Sequence, residues 1–573
     1  MSITFETAKE QADAADLKII EALSKGKSFR VEAGAGSGKT YSLNKTLEWI
    51  QANKWNEYHR KKQVVACITF TNSAVEIIAD RLPKDTFITP STIHSFAWNS
   101  IKQYQDFLIK IVSLEPEYLN VRGDSSEVKE VTYTLGIPAK ENCIYYLGHN
   151  HVLDLFGKLL DNQKFRSVFA SKYPLILIDE YQDTNKNIIN KFIKYFISKN
   201  AGPQFGFFGD AWQTIYQFNN ACGLIEHENL EVINKTVNFR SAPRIVEVLN
   251  CLRKDLPQVS AIDSIDGEVI AVTCDDYRGI RQSSSYFNGE LPPNVFIERI
   301  EEIRKKIQRE LPEGDSLKIL MITHKTLARQ QGYEQLLNIL DQRLKQKDDP
   351  FLVFFMDVVE PIYRALKSSN MQLLFETLGI SRFPIRKKSD KIQWKVFLSK
   401  LEEARKKNAA DVFNVILQSN LVPIPQGLME WYDLYQKNPE RIYISGWPIQ
   451  SLLNLQYSQF ISAIDFLYPQ SIFSTEHSVK GDEYDTVVFV ISKGWKNYQF
   501  EAYAPMITGI SSIPENHKDD YERNRNLFYV CCSRPKKKLV FFITVPTDEK
   551  FRAFLKQIVD DDKIFTYSEF INQ

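Results

Sequence analysis

FRVEAGAGSGKTYSLNKTLEWI, residues 29–50, runs from an apolar strand-like segment through a glycine-rich loop into a segment of helical spacing. The glycines at 34, 36 and 38 let backbone N–H groups converge on phosphate oxygens. Lys39 reaches the outer phosphates, and Thr40 offers a hydroxyl to Mg²⁺. The helix that follows turns its positive end toward the anion. The strict form of this loop has glycine at 33, where this chain has Ala33. A glycine-rich turn with a chance Lys–Thr pair is the alternative, but it requires neither the strand before nor the helix after.

A second stretch, LILIDEYQDTN (175–185), drives four apolar residues into three acids. Buried carboxylates need a cation. Asp179, at the end of the strand, stands where a phosphate-loop enzyme holds its Mg²⁺-coordinating carboxylate, and Glu180 is placed to polarise the attacking water. Lys39 and the metal supply the matching charge.

The 573 residues imply several domains. Apolar residues make up 43% and charged residues 25%, as in globular proteins that fold in water. The 72 Lys+Arg against 71 Asp+Glu leave a net charge of +1, so any nucleic-acid site must be a local basic lining rather than a global field. Seven cysteines, an odd number without a C-x-x-C pair, argue against a disulfide framework and against a zinc or iron–sulfur site. Reduced thiols in a cytoplasmic protein are the expectation. The polar N-terminus is no signal peptide, and no apolar run approaches the ~20 residues of a membrane span.

Strand-like runs recur at FRVEA (29–33), VVACITF (64–70), LILID (175–179), FGFFGD (205–210), LKILMIT (317–323), VVFVI (487–491) and LVFFIT (539–544). Helical spacing lies between them, as in SAVEIIADRL (73–82) and SAPRIVEVLNCL (241–252). This alternation predicts an α/β fold with parallel sheets covered on both faces. Residues 98–150 and 333–468 break the rhythm and read as mostly helical insertions.

The ordered motifs resemble those of the UvrD/Rep/PcrA-type superfamily 1 DNA helicases. VEAGAGSGKT (31–40) is similar to their first motif, TFTNSAVEIIADRL (69–82) and STIHSF (91–96) to the next two, and LIDEYQDTN to DExQD. FGDAWQTIYQF (208–218), NFRSAPRIVEVLN (238–250), STEHSVKGDEYDTVVFV (474–490) and RNRNLFYVCCSRPKKKL (523–539) follow in the family's order. The resemblance implies two RecA-like P-loop NTPase lobes with ATP between them. Lobe 1A is then 1–97 with 151–235, interrupted by insertion 1B at 98–150. Lobe 2A is 236–332 with 469–573, interrupted by a compact insertion 2B at 333–468.

By the same resemblance, Ala35, Gly36, Ser37, Gly38, Lys39, Thr40 and Tyr41 hold the nucleotide, with Phe239 stacking on the base and Glu483 touching the ribose. Thr40 and Asp179 hold Mg²⁺. Glu180 is the base, Gln213 contacts the γ-phosphate and the water, and Arg240 and Arg534 neutralise the transferred phosphoryl group. Tyr41 replaces a frequent arginine, Phe239 replaces a tyrosine, and Asp16 falls where a glutamine usually reads adenine. Phe70, Tyr216 and Phe218 lie in motifs that line the single-strand path, with Asn72, His94 and His477 as polar contacts. On the residues alone, Phe70 could equally pack in a core, and each histidine could be structural. Lys536, Lys537 and Lys538 read either as phosphate contacts or as an exposed charged turn.

The implied function is an ATP-dependent 3′→5′ single-stranded DNA translocase and helicase. The segment VTYTLGIPAKENCIYYLGHNHVLDLF (131–156) also resembles the helicase-type subunit of Gabija-like phage defence systems. The chain runs only about 30 residues past its last motif, too few for a fused nuclease domain. The rival expectation is therefore an ATPase that responds to DNA ends or exposed single strands and regulates a partner nuclease of the OLD type.

Overall fold

The computed structural model describes residues 4–573, except 120–121, 124–126, 134–138, 216–219, 263–264, 285–286, 322–327, 329–330, 342–343, 345–348, 379–386, 438–447, 468–471, 477–478 and 494–497. Two six-stranded sheets, parallel throughout, form its framework. In the first, β1 (Phe29–Ala33), β2 (Val65–Thr69), β3 (Ile88–Thr92), β4 (Leu175–Asp179), β5 (Gln204–Gly209) and β6 (Glu231–Lys235) lie in the order β6-β1-β5-β4-β2-β3. In the second, β7 (Glu268–Thr273), β8 (Leu317–Met321), β9 (Phe473–Thr475), β10 (Tyr484–Ile491), β11 (Pro535–Ile543) and β12 (Ile564–Thr566) lie in the order β9-β8-β10-β11-β7-β12.

All seven apolar runs are strands, and their continuous hydrophobicity follows from burial on both faces: every residue of β1, β2 and β4 is buried. Side chains alternate across the sheet. Phe205 and Phe207 of β5 join an aromatic layer with Phe156, Phe169 and Phe192, while Phe208 joins Phe29 and Val31 under α2 (Lys39–Arg60).

Residues 98–150 hold the helices Gln105–Leu114 and Pro116–Leu119. They also hold four short strands in the order Arg122–Gly123, Ala139–Glu141, Ile144–Leu147 and Glu130–Tyr133, a feature the helical reading did not anticipate. Among the described residues of 333–468 the regular elements are helices, including one π-helical turn at Phe355–Val359. Their buried Phe351, Phe355, Phe413, Tyr457 and Phe460 share one apolar core with Val488, Val540 and Phe542 of the second sheet.

All seven cysteines are free. Among the described residues, no helix is long and apolar enough to cross a membrane. Lys536, Lys537 and Lys538 form neither an exposed turn nor a free phosphate patch. They lie in β11 and pair with Glu483 (2.8 Å), Asp315 (2.6 Å) and Glu268 (3.0 Å), respectively.

Glu476, just past β9, is fully buried, and neither carboxylate oxygen has a partner among the described residues. Burial holds its carboxyl well above the ordinary range. Below about pH 4 both folded and unfolded forms are protonated. As pH rises the unfolded form ionises first, so the fold loses stability. Glu476→Gln is expected to stabilise the protein by about 1–3 kcal/mol at pH 8, and by less at pH 5. Thermal melting at the two pH values measures both effects.

Candidate nucleotide site between the lobes

The loop after β1 takes its shape from glycine. Gly36 and Gly38 have φ of +71° and +75°, in the left-handed region that side chains disfavour. A Cβ at Gly36 would stand 2.6 Å from Asn238 Oδ1 and 2.7 Å from Arg240 Cβ. Gly38 caps α2 without a side-chain hydrogen bond, which leaves the first N–H groups of the helix for an anion. The buried Ser37 hydroxyl beside them has no partner among the described residues. Thr40 and Tyr41 are exposed at the mouth. Unsatisfied donors around a cradle that admits no Cβ fit a triphosphate.

Residues that follow the first sheet in the chain fasten this loop. The Ala35 carbonyl accepts from Asn238 Nδ2 (2.9 Å) and Gln258 Nε2 (3.0 Å), and the Gly36 carbonyl from the Phe239 N–H (2.9 Å). The Ala35 N–H donates to the Tyr529 hydroxyl at 3.3 Å. Phe239 is half-buried, with its ring edge-on to Phe5 at 6.1 Å.

Lys39 reaches across β5 to the end of β4. Its ammonium lies 3.1 Å from Asp179 Oδ1 and is also bonded to Glu180 Oε1. Burial opposes charge on all three groups. Asp179 is held above the ordinary carboxylate range by burial, against the pull of Lys39. For Glu180, Lys39 and Lys480 outweigh burial and hold the carboxyl well below that range. The same two acids keep Lys39 protonated. Asp179 and the Thr40 hydroxyl suffice as protein ligands for Mg²⁺, which takes its other oxygens from phosphate and water. Lys39→Ala removes the only cation on Asp179 in this network and is expected to destabilise the nucleotide-free protein by about 3 kcal/mol. Thermal melting reads this loss, and added Mg²⁺ should recover part of it.

The second lobe delivers cations to the same cleft. Arg534, between α4 (Lys518–Cys532) and β11, is 1% exposed. Its Nη2 donates to Gln213 Oε1 at 3.1 Å. Burial, then repulsion by Arg240, pushes its pKa down to about 10, so it stays charged at neutral pH. Arg240 donates from Nε to Glu483 Oε2 (3.0 Å) and from Nη1 to the Ser533 carbonyl (3.1 Å). The two residues expected at phosphate and ribose thus pair with each other.

On the strand side, Phe70 is 38% exposed just past β2, which excludes it from the core. His94 is half-buried in the helix Ile93–Ile101. Asn72 opens the helix Asn72–Ala79, but its side chain lies outside the described residues, as do Tyr216, Phe218 and His477.

The chain is similar to several known proteins. A model described as an AAA domain matches residues 16–219. The ATP-dependent DNA helicase Rep of Buchnera aphidicola subsp. Acyrthosiphon pisum is 23% identical, over 89% of this chain and 91% of its own. The ATP-dependent DNA helicase PcrA of Bacillus subtilis is 25% identical over 38% of this chain and 36% of its own. The Gabija protein GajB of Bacillus cereus (strain HuB5-5) is 21% identical over 94% of this chain and 96% of its own. Along most of its length the chain is similar both to a Rep-type DNA helicase and to a Gabija protein.

One position departs sharply from the helicase motifs. Asp16, where an adenine-reading glutamine is expected, is buried and engaged: it accepts from the Ser42 hydroxyl at 2.5 Å and lies 3.2 Å from Lys235 Nζ and 3.3 Å from Lys45 Nζ. A carboxylate can only accept, so it cannot reproduce the paired donor and acceptor of an amide.

Sequence reasoning missed Lys480, which lies within the motif 474–490. Its ammonium bonds to Asp183 and to the Gln213 carbonyl (2.6 Å) and sits 3.6 Å from Glu180 Oε2. The pairing of three acids at 179, 180 and 183 with one expected lysine was the available signal. Gln182 was likewise unmarked; it donates to Glu180 Oε2 and accepts from the Asp210 N–H at 3.2 Å.

Proposed function

We propose that this protein is a helicase that closes its two lobes on Mg–ATP and couples hydrolysis to 3′→5′ movement along single-stranded DNA. The observation that carries the reading is the convergence of Lys39, Asp179, Glu180 and Gln213 from the first lobe with Arg534 from the second. In this reading Lys39 and Thr40 hold phosphate and metal, and Asp179 completes the metal site. Glu180 activates water, Gln213 reports the γ-phosphate, and Arg240 and Arg534 neutralise it. Phe239, Tyr41 and Glu483 surround the base and ribose. Phe70 offers an exposed face to a base, a stack of about 1–3 kcal/mol that ignores sequence. Residues 1–97 with 151–235 then form lobe 1A around a 1B subdomain at 98–150, and 236–332 with 469–573 form lobe 2A around a 2B subdomain at 333–468.

A second reading rests on the near full-length match to a Gabija protein. In it the same ATPase responds to DNA ends and regulates a partner nuclease, such as one of the OLD type, while unwinding little. Purified protein with single-stranded DNA, with blunt duplex ends and with a 3′-tailed duplex separates the two. Strand displacement of the tailed duplex supports the motor, ATP hydrolysis without displacement supports the regulator, and no nucleotide hydrolysis under any condition would refute both.

A further inference from the structure

One buried guanidinium crosses between the lobes away from the phosphate cradle. Arg253 follows α3 (Pro243–Leu252) of the second lobe and is 2% exposed. Its Nη1 donates to Asp210 Oδ1 at 2.5 Å and its Nη2 to Glu32 Oε1 at 2.8 Å, both acids belonging to the first lobe. The guanidinium lies beside an edge-to-face aromatic pair, 5.5 Å from the Trp212 ring and 5.7 Å from the Tyr529 ring.

What the two acids do with their remaining oxygens gives this bridge its meaning. Asp210 Oδ2 accepts from Gln213 Nε2 at 2.8 Å, and the Oε1 of that same Gln213 accepts from Arg534. Glu32 Oε2 accepts from the Tyr181 hydroxyl at 2.8 Å, and Tyr181 directly follows Glu180. Glu32 Oε1 also accepts from the Ala211 N–H at 3.1 Å, which pins the turn that carries Gln213. A single cation of the second lobe therefore holds both carboxylates that orient the phosphate-sensing glutamine and the residue beside the base.

We propose that Arg253 is a positioning residue that makes hydrolysis conditional on lobe closure. When the lobes part, its guanidinium leaves Asp210 and Glu32 together, and Gln213 and the Glu180 turn lose their orientation in one step. Planar two-point donation suits this task, because one guanidinium reaches two carboxylates where an ammonium is a single point charge. The Trp212 and Tyr529 rings pack against the guanidinium, which is almost fully buried. Among the described residues Arg253 makes no direct bond to the phosphate loop, so its effect is expected on turnover rather than on nucleotide affinity.

This inference rests on the ATPase reading above, and its test keeps the two apart. Steady-state hydrolysis is measured at saturating single-stranded DNA for the wild type, Arg253→Met and Arg253→Lys, alongside thermal melting and binding of a fluorescent ATP analogue. Arg253→Met is expected to lower kcat by about 10²-fold, the scale of a misplaced reacting group, with KM and analogue affinity within about threefold of wild type. Arg253→Lys keeps the buried charge, so it should melt close to wild type and recover only part of the lost kcat. It is decisive if the methionine variant fails to fold. A wild type without hydrolysis overturns the functional reading and this inference with it. An active wild type with kcat within about twofold in the folded variants overturns the inference alone. So does a fall in kcat matched by an equal rise in KM, since that would make Arg253 a fastener of the cleft rather than an orienter of its chemistry.

Discussion

Glu180→Gln is expected to lower DNA-stimulated ATP hydrolysis by about 10²–10⁴-fold, the usual contribution of a positioned general base, while nucleotide still binds. The expectation follows from the two sides of the Glu180 carboxylate. One oxygen faces Lys39, and the other accepts from Gln182 near Lys480. Glutamine keeps the shape but cannot take a proton from water. The fold should tolerate the change, because Lys39 keeps Asp179 and Lys480 keeps Asp183. The backbone at Glu180 has φ +50°, a left-handed conformation that costs roughly 1–2 kcal/mol for a side-chain residue. That cost is common to both residues and cancels. Phosphate release at saturating ATP, with a fluorescent nucleotide titration beside it, is the measurement. Turnover within about tenfold of wild type would move the base to another residue.

Arg534→Ala is expected to cost more, about 10³–10⁵ in kcat, the range of a transferred arginine finger. Its guanidinium is almost completely enclosed, held by the Val530 carbonyl (3.0 Å), the Asp482 carbonyl (3.2 Å) and Gln213. Among the described residues no carboxylate is paired with it, and burial together with the nearby Arg240 depresses its pKa. Two like charges gathered in a buried cleft are unfavourable until an anion enters, so the charge developing on a transferred phosphoryl group gains most from them. Arg534→Lys should recover little, since an ammonium cannot keep these bonds and reach phosphate together. Single-turnover hydrolysis isolates the chemical step. A drop in kcat under tenfold would assign the role to Arg240 instead.

The convergence of Lys39, Asp179 and Glu180 at the candidate site was legible because these residues sit in contiguous strand–loop–helix blocks, where local spacing fixes geometry. Lys39, Asp179 and Glu180 meet as the motifs imply. The seven long apolar strands were legible for the same reason. Of the five strands that complete the sheets, four carry weaker signals. Ile88–Thr92 contains Pro90 and lies at an edge, and Glu231–Lys235 alternates as an edge strand exposed on one face. Phe473–Thr475 and Ile564–Thr566 are edge strands of three residues each. Glu268–Thr273 is apolar enough to read and went unread. The small sheet in 98–150 escaped notice because its strands are two to four residues long.

What spacing could not reveal is pairing across the lobes. Arg253 and Glu32 lie 221 residues apart, and Lys480 and Asp183 lie 297 apart. No periodicity links them, and each alone reads as a surface charge. Arg240 and Glu483 were each recognised, yet their ion pair within the second lobe is one that neither motif encodes.

The apolar core shared by the second sheet and the helices of 333–468 limits the machine's degrees of freedom. Swinging that helical block away would open the apolar core it shares with Val488, Val540 and Phe542. The block should ride with its lobe as one body, leaving the interlobe cleft as the single joint. A fluorophore pair spanning block and lobe should then report a constant distance through the ATP cycle, whereas a pair spanning the cleft should not.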